Sequence, residues 1–332
     1  MINNGYLLAV DGGQTSTKSL VASLDGTIAG YGHGGPEDHF HSTDGMGKNR
    51  SAIYEAIHSA LDWAGVSATD VEAIALGLTG VSFAGHEVSM VEGIVREVLQ
   101  PKHIVVVPDC VTNLAGASAG EAGVVVIAGG GAIAYGVLAD GSRQARAGGM
   151  GYLFDEGSAF DMGRRAVTAA ARASDGRGES TTLAAIIKDT FHIARIPDIT
   201  KIVYAAGFAR ERLSALAPFV AREAEAGDSV SLRIITDAAN ELARLALAVA
   251  RGIATTNEPI SIYPTGGVFK AGAILARPFA DAIYRGWPTA VVRIPSYPPV
   301  VGALLLARRA CGSPIDARWF QRVAETLERG RV

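Results

Sequence analysis

Residues 7–32 read LLAVDGGQTSTKSLVASLDGTIAGYG. An apolar run from Leu7 to Val10 ends in Asp11. Gly12 and Gly13 follow, then the hydroxyls Thr15, Ser16 and Thr17 and the base Lys18. A second apolar run reaches Asp25-Gly26, and a third begins at Thr27. The pattern predicts strand, glycine turn, strand, Asp-Gly turn, strand. Glycines let backbone N–H groups converge on an anion, and hydroxyls and a lysine add donors. An acid at a strand end can hold a hydrated Mg²⁺ beside phosphates. The same residues also fit an ordinary hairpin turn with Lys18 in solvent.

The pattern recurs. Residues 123–149 read GVVVIAGGGAIAYGVLADGSRQARAGG, with strand-like Val124–Ala128, the turn Gly129-Gly130-Gly131, a strand over Ile133–Leu138, and Asp140-Gly141. Repetition weighs more than an isolated motif when a fold is read from sequence. Two copies predict two domains of one topology, each opening with a hairpin whose glycine turn faces a shared cleft, where two turns could grip the phosphates of one nucleotide.

The bulk properties agree. The chain has 332 residues, a length that fits two domains. Its net charge of −3, with both signs spread along the chain, gives no nucleic-acid footprint and no membrane-seeking face. The 40 glycines lack a period, which excludes a collagen-like chain. Two cysteines, Cys110 and Cys311, support neither a disulfide framework nor a thiolate metal site. The first residues lack the basic and apolar regions of a signal peptide, and no apolar run is long enough for a membrane span. A cytoplasmic protein is expected.

Along the chain, the loop Gly34-Gly35-Pro36-Glu37-Asp38-His39-Phe40-His41 is either plain surface or faces a ligand, with Asp38 accepting hydrogen bonds from hydroxyls and His39 donating one. Helical spacing covers 47–64 and 88–99, and strands are expected at 71–78, running into Thr79-Gly80, and at 104–107. Asp109 follows that last strand and precedes a helix. Ligands of open α/β sheets bind at this edge, and a carboxylate there can take a proton from an attacking hydroxyl; it can also cap the helix. The glycine-rich run Gly148–Ser158 carries Asp155 and Glu156 before another helix. Acids there suit a helix's first turn, the simpler reading for Glu156; Asp155, flanked by glycines, is expected to meet a ligand. Residues 181–254 read as helices, 260–263 as a strand ending at Pro264-Thr265-Gly266-Gly267, and 269–284 as a helix. Glycines at that strand end suit a planar nucleoside. A strand at 291–294 and helices at 297–309 and 317–327 close the chain.

Five blocks now resemble a known family: AVDGGQTSTKSLV, GPEDHF, PDCVTNLAGA, VVVIAGGGAIAYG with GGMGYLFDEGS, and PTGGVFKAG, in that order from Ala9 to Gly272. The chain resembles the BadF/BadG/BcrA/BcrD-type ATPases and, among them, the N-acetylglucosamine kinases of the actin, sugar kinase and Hsp70 superfamily. The resemblance implies an α/β fold of two ribonuclease-H-like (actin-like ATPase) domains with an interdomain cleft, divided here as 1–113 and 114–332 with a helical insertion in the second. It implies ATP and Mg²⁺, with Asp11, Gly12, Gly13, Thr15 and Lys18 at the phosphates, Asp11 near the metal, Gly129, Gly130 and Gly131 meeting the phosphates from the other domain, and Gly266, Gly267 and Lys270 at the adenosine. The catalytic aspartate falls on Asp109, which also binds sugar. Other sugar contacts fall on Asp38, His39, Thr79, Ala132, Gly149, Met150, Gly151 and Asp155. The implied activity is phosphoryl transfer to a hexosamine, N-acetylglucosamine or glucosamine, at the 6-hydroxyl, by a protein of a family in which homodimers are common.

Several residues depart from that pattern. Asp38 replaces an asparagine, Gly130 and Ala132 stand where threonine and serine are usual, Met150 replaces a tryptophan, and one residue is missing before Asp155. Many of these positions surround the sugar's 2-substituent, so fold and phosphoryl transfer are expected to survive better than acetamido specificity. A kinase for another sugar stays open, as does a dehydratase-activating ATPase, which would need cysteines for a shared cluster. A sugar-sensing repressor would carry a DNA-binding segment for which this chain has no room ahead of its first strand.

Overall fold

The computed structural model describes residues 5–38, 40, 42, 44–83, 85–255 and 258–327. These form two compact units. Residues 1–121 and 295–332 make the first, and residues 122–294 the second.

The first unit opens with β1 (Tyr6–Gly12), β2 (Thr17–Ser23) and β3 (Ile28–Gly34), then α1 (Gly45–Ala64), β4 (Val71–Leu78), α2 (Glu87–Val98), β5 (His103–Pro108) and α3 (Asp109–Ala117). Its sheet has the order β3-β2-β1-β4-β5. β1 pairs antiparallel with β2 and parallel with β4, and β4 pairs parallel with β5. Because side chains alternate across a strand, β1 feeds two cores. Leu8 and Val10 join Ile53 and Ile57 of α1 and Val91 and Val95 of α2 on one face. Leu7 and Ala9 face the other way.

β3 carries glycine at every second position, Gly30, Gly32 and Gly34. A Cβ on any of them would fall 2.1–2.5 Å from the carbonyl oxygens of Ala60, Ala56 and Ala52. The missing side chains let α1 lie directly on the strand through its alanines, and Ser19 of β2 hydrogen-bonds the Ala56 carbonyl. This fixes where the loop after β3 leaves the sheet.

The second unit repeats the plan with β6 (Gly123–Ala128), β7 (Ala132–Val137) and β8 (Gln144–Gly148), and then six helices: α4 (Ala159–Ser174), α5 (Leu183–Phe191), α6 (Thr200–Val203), α7 (Glu211–Ser214), α8 (Ala217–Glu225) and α9 (Ser229–Ile253). β9 (Ile260–Thr265), α10 (Ala273–Gly286) and β10 (Ala290–Val292) complete it. The sheet order is β10-β9-β6-β7-β8. In both sheets, three antiparallel strands lead into two parallel ones. One core holds Val124 and Val126 of β6 against Ala239, Leu242 and Ala246 of α9 and Phe279 of α10.

The division differs from 1–113 and 114–332. The last two helices, α11 (Pro299–Ala310) and α12 (Ala317–Leu327), return to the first unit. Val301, Leu304, Trp319 and Val323 cover the Leu7, Ala9, Ala73 and Ala75 face of its sheet. Small alanines there would leave that face bare without them. Tyr31 donates to the Thr326 carbonyl at 2.7 Å, and Arg309 to that of Gly120 at 2.8 Å. Within the helical region expected over 181–254, α7 and α8 are separate short helices, with Pro218 in the first turn of α8. The helix expected over 269–284 begins as a 3₁₀ turn at Gly267–Ala271 before α10.

Candidate active site

In the first unit, chemistry gathers where β1, β4 and β5 end. Asp11 lies opposite Lys18 in the β1–β2 ladder, and Gly12 lies opposite Thr17. Between them the turn is held by Gly13 N–H donating to the Ser16 carbonyl at 3.2 Å, with Thr15 and Lys18 exposed. Thr79, just past β4, donates its N–H to the Gly12 carbonyl at 2.9 Å and its hydroxyl to Asp109 Oδ2, also at 2.9 Å. Asp109 is the first residue of α3. The structure thus brings Asp11, Gly12, Lys18, Thr79 and Asp109 together. α3 is seated by close backbone approach to α11: a Cβ on Gly302 would fall 2.0 Å from the Thr112 carbonyl oxygen.

Burial and the neighbouring Asp109 push the Asp11 carboxyl up from 3.8 to about 7, against the pull of Lys18. Glu37 deepens this concentration of charge. It is 3% exposed. Its N–H donates to the Gly13 carbonyl at 3.0 Å, and its carboxylate lies where a Cβ on Gly12 would stand, 2.0 Å from Oε1. The Thr17 hydroxyl bonds the Gly35 carbonyl at 2.8 Å and lies 3.5 Å from Glu37 Oε1, whereas Oε2 is buried without a hydrogen-bond partner. Burial, then Asp11 and Asp109, raise the Glu37 carboxyl well above the usual carboxylate range. Sequence reasoning saw Glu37 only as one polar residue of a loop. The available signal was its place three residues past the Gly-x-Gly-x-Gly strand, whose glycines seat α1 and fix where the loop begins.

Asp38 is clamped by its backbone. Its N–H donates to Asn49 Oδ1 and its carbonyl accepts from Asn49 Nδ2, both at 2.8 Å, and Asn49 is wholly buried. Lys48 Nζ stands 4.0 Å from Asp38 Oδ2, so a cation of the protein already accompanies that carboxylate. Asn49 was missed because it sits inside an amphipathic pattern. His39 lies outside the described residues.

In the second unit, the Gly129–Gly131 turn is closed by Gly129 N–H donating to the Gly131 carbonyl at 2.9 Å. Ile127 pairs with Thr265, so the Gly266 turn emerges beside it. Gly266 has φ +96°, and a Cβ there would fall 2.3 Å from the Ala128 carbonyl oxygen; only glycine satisfies both conditions. Gly266, Gly267 and Lys270 are exposed. Asp155 is 5% exposed and faces Gly131. Its two oxygens accept the N–H groups of Met150 at 2.9 Å and Gly151 at 3.2 Å. Its first task is therefore to clasp its own loop, which runs through the positive-φ residues Gly148, Gly149 and Gly151. Ala132 is buried in the core and its carbonyl takes the Gly149 N–H. Met150 is 74% exposed. Glu156 stands before α4, whose N-cap is Ser158 and whose first-turn acid is Asp161.

Cys110 has no exposed surface, which is unsuited to ligating an external cluster. Among the described residues there is no group of three or more His, Cys, Asp or Glu placed to hold a metal by themselves, and no helix long and apolar enough to cross a membrane.

Two sheets of this shared topology, each with a glycine turn after its first strand, define the actin-like sugar kinase fold. Within that class, the BadF/BadG/BcrA/BcrD ATPase family model matches residues 8–307, and the chain belongs to this family. It is 30% identical over 307 residues to an N-acetylmuramic acid/N-acetylglucosamine kinase of Clostridium acetobutylicum, covering 92% of this chain and 99% of that one. It is 27% identical to an N-acetyl-D-glucosamine kinase of Dictyostelium discoideum, covering 90% and 97%. A solved structure from Chromobacterium violaceum, assigned as an N-acetylglucosamine kinase, superposes with a TM-score of 0.74 at 27% identity, covering 92% and 99%. The family implies use of ATP.

Proposed function

We propose that the protein is an ATP-dependent hexosamine kinase acting on N-acetylglucosamine or a near relative of it, at the 6-hydroxyl. One observation carries the reading: the Asp109 carboxylate, fixed by the Thr79 hydroxyl at 2.9 Å, stands at the carboxyl end of β5 beside the turn that bears Asp11. A carboxylate so placed can orient a sugar hydroxyl and accept its proton as the phosphoryl group arrives. The backbone N–H groups of Gly12 and Gly13, with Thr15 and Lys18, are donors suited to phosphate oxygens, and the exposed Gly266, Gly267 and Lys270 suit a nucleoside. Gly129–Gly131 offers a second set of phosphate donors. Asp38, Thr79, Gly149, Met150, Gly151 and Asp155 are the proposed sugar contacts; Ala132, which is buried, would act through its neighbours.

The chemistry of the acids fits Mg²⁺: half-buried Asp11 repelled by Asp109, and a buried Glu37 oxygen without a partner. Asp11 would hold the ion, which when bound neutralises phosphate charge. The cytoplasm is the proposed compartment.

An ADP-release assay with MgATP tests the reading against N-acetylglucosamine, N-acetylmuramic acid, glucosamine, N-acetylmannosamine, glucose and mannose. Turnover on a hexosamine that collapses in Asp109→Asn is expected. No turnover on any sugar, with ATP still bound, would overturn it.

A further inference from the structure

The reading above gives the ion to Asp11 and leaves Glu37 without a ligand of its own, yet its position is an expensive one. A carboxylate 3% exposed, with an oxygen that none of the described residues bonds, is destabilising unless something else meets it. Asp11 and Asp109 raise it electrostatically, and Thr17 offers one long hydroxyl contact. The carboxylate rests on the Cα of Gly12, in the phosphate turn itself, and the Glu37 backbone is tied to Gly13. It therefore belongs to the phosphate end of the site, whereas Thr79 and Asp109 mark the hydroxyl end.

We propose that Glu37 is a carboxylate of the divalent-cation site, acting with Asp11 on the ion that accompanies ATP. This rests on the kinase reading only in taking ATP as the nucleotide. Mg²⁺ keeps several waters and is bound through one or two carboxylates plus substrate phosphates. Two acids flanking a phosphate turn match that need. Gly12 is part of the device, since any side chain there would displace the carboxylate.

Mn²⁺ serves as the probe, because its electron paramagnetic resonance signal reports bound ion without turnover. Titrations would use the full chain with ADP, as wild type, Glu37→Gln, Glu37→Asp, Asp11→Asn and Asp109→Asn, with thermal melting as the folding control. Glu37→Gln is expected to weaken Mn²⁺ binding in the nucleotide complex about ten- to a hundredfold. Metal-free nucleotide binding should persist, Glu37→Asp should restore part of the affinity, and Asp109→Asn, which removes a neighbouring charge but no proposed ligand, should change it less than Glu37→Gln does. Unchanged Mn²⁺ affinity in a folded Glu37→Gln would overturn the proposal. So would unchanged Mn²⁺ affinity accompanied by altered selectivity between glucosamine and N-acetylglucosamine, which would place Glu37 at the sugar's amino group. Loss of Mn²⁺ affinity in a protein inactive on every sugar would sustain this inference while removing the hexosamine kinase reading.

Discussion

The two glycine turns share a topology and divide the chemistry unequally. After β1, the turn of the first unit is ringed by acids: Asp11 beside it, Glu37 on Gly12 and Asp109 nearby. After β6, the turn of the second unit is bare backbone, and the acid facing Gly131, Asp155, already holds two N–H groups. The first turn concentrates charge that a cation would relieve. The second exposes peptide groups to whatever rests on them. One fold can therefore supply either electrostatics or shape, depending on which residue stands against the glycine.

Asp109→Asn should separate these roles most sharply. It is expected to lower kcat by about 10²- to 10⁴-fold without lowering the melting temperature, since it removes one of the crowded charges. A large drop in melting temperature would show that Asp109 is a structural cap instead.

Gly266→Ala should act on both fold and binding. A Cβ forced to φ +96° and into the Ala128 carbonyl costs about 1–3 kcal/mol in the second unit. Chemical denaturation and ATP binding measured together should both weaken. Intact ATP binding would mean that this turn is not the nucleoside platform.

Asp155→Ala should leave two N–H groups without their acceptor, at a cost of about 1–3 kcal/mol. Hydrogen exchange at Met150 and Gly151 should quicken. Unaltered exchange would make Asp155 a ligand group and restore the likeness between the two turns.

The smallest effect is the pH dependence of the metal-free protein. The Asp11 carboxyl ionises at about 7 when folded and at about 3.8 when exposed. Between those values the folded state holds a proton that the unfolded chain has released, so stability falls as pH rises from about 4 to 7 and levels above. Glu37, also raised, adds to the fall. Asp11→Asn should flatten the melting profile over that range. A profile as steep as wild type would remove Asp11 from the crowded cluster.

Much of this was legible in the sequence. The repeated hairpins announced both sheets because period-two apolar runs broken by glycine leave few alternatives, and Asp109 stood out because a strand ended just before it. Glu37 and Asn49 were hidden for a shared reason. Each is a polar side chain whose meaning depends on what lies across space, Gly12 in one case and the Asp38 backbone in the other. The clasp of Asp155 on Met150 and Gly151 also went unseen, since it spans only five residues and looks like any loop acid. The tail was assigned to the wrong unit because an amphipathic helix shows that it has a partner without showing which sheet that partner is.

That tail sets the order of assembly. The second unit is one continuous segment, so a ribosome delivers all its strands and helices before α11 and α12. The first unit must wait. Its sheet, made first, keeps the Leu7 and Ala9 face uncovered until α11 and α12 emerge some three hundred residues later. During that interval the nascent chain presents an apolar surface, and α3, which carries Asp109, lacks the helix that seats it. Truncation before Pro299 should therefore yield an aggregating chain with a sound second unit, and the enzyme's competence is decided by helices made long after the sheet they cover.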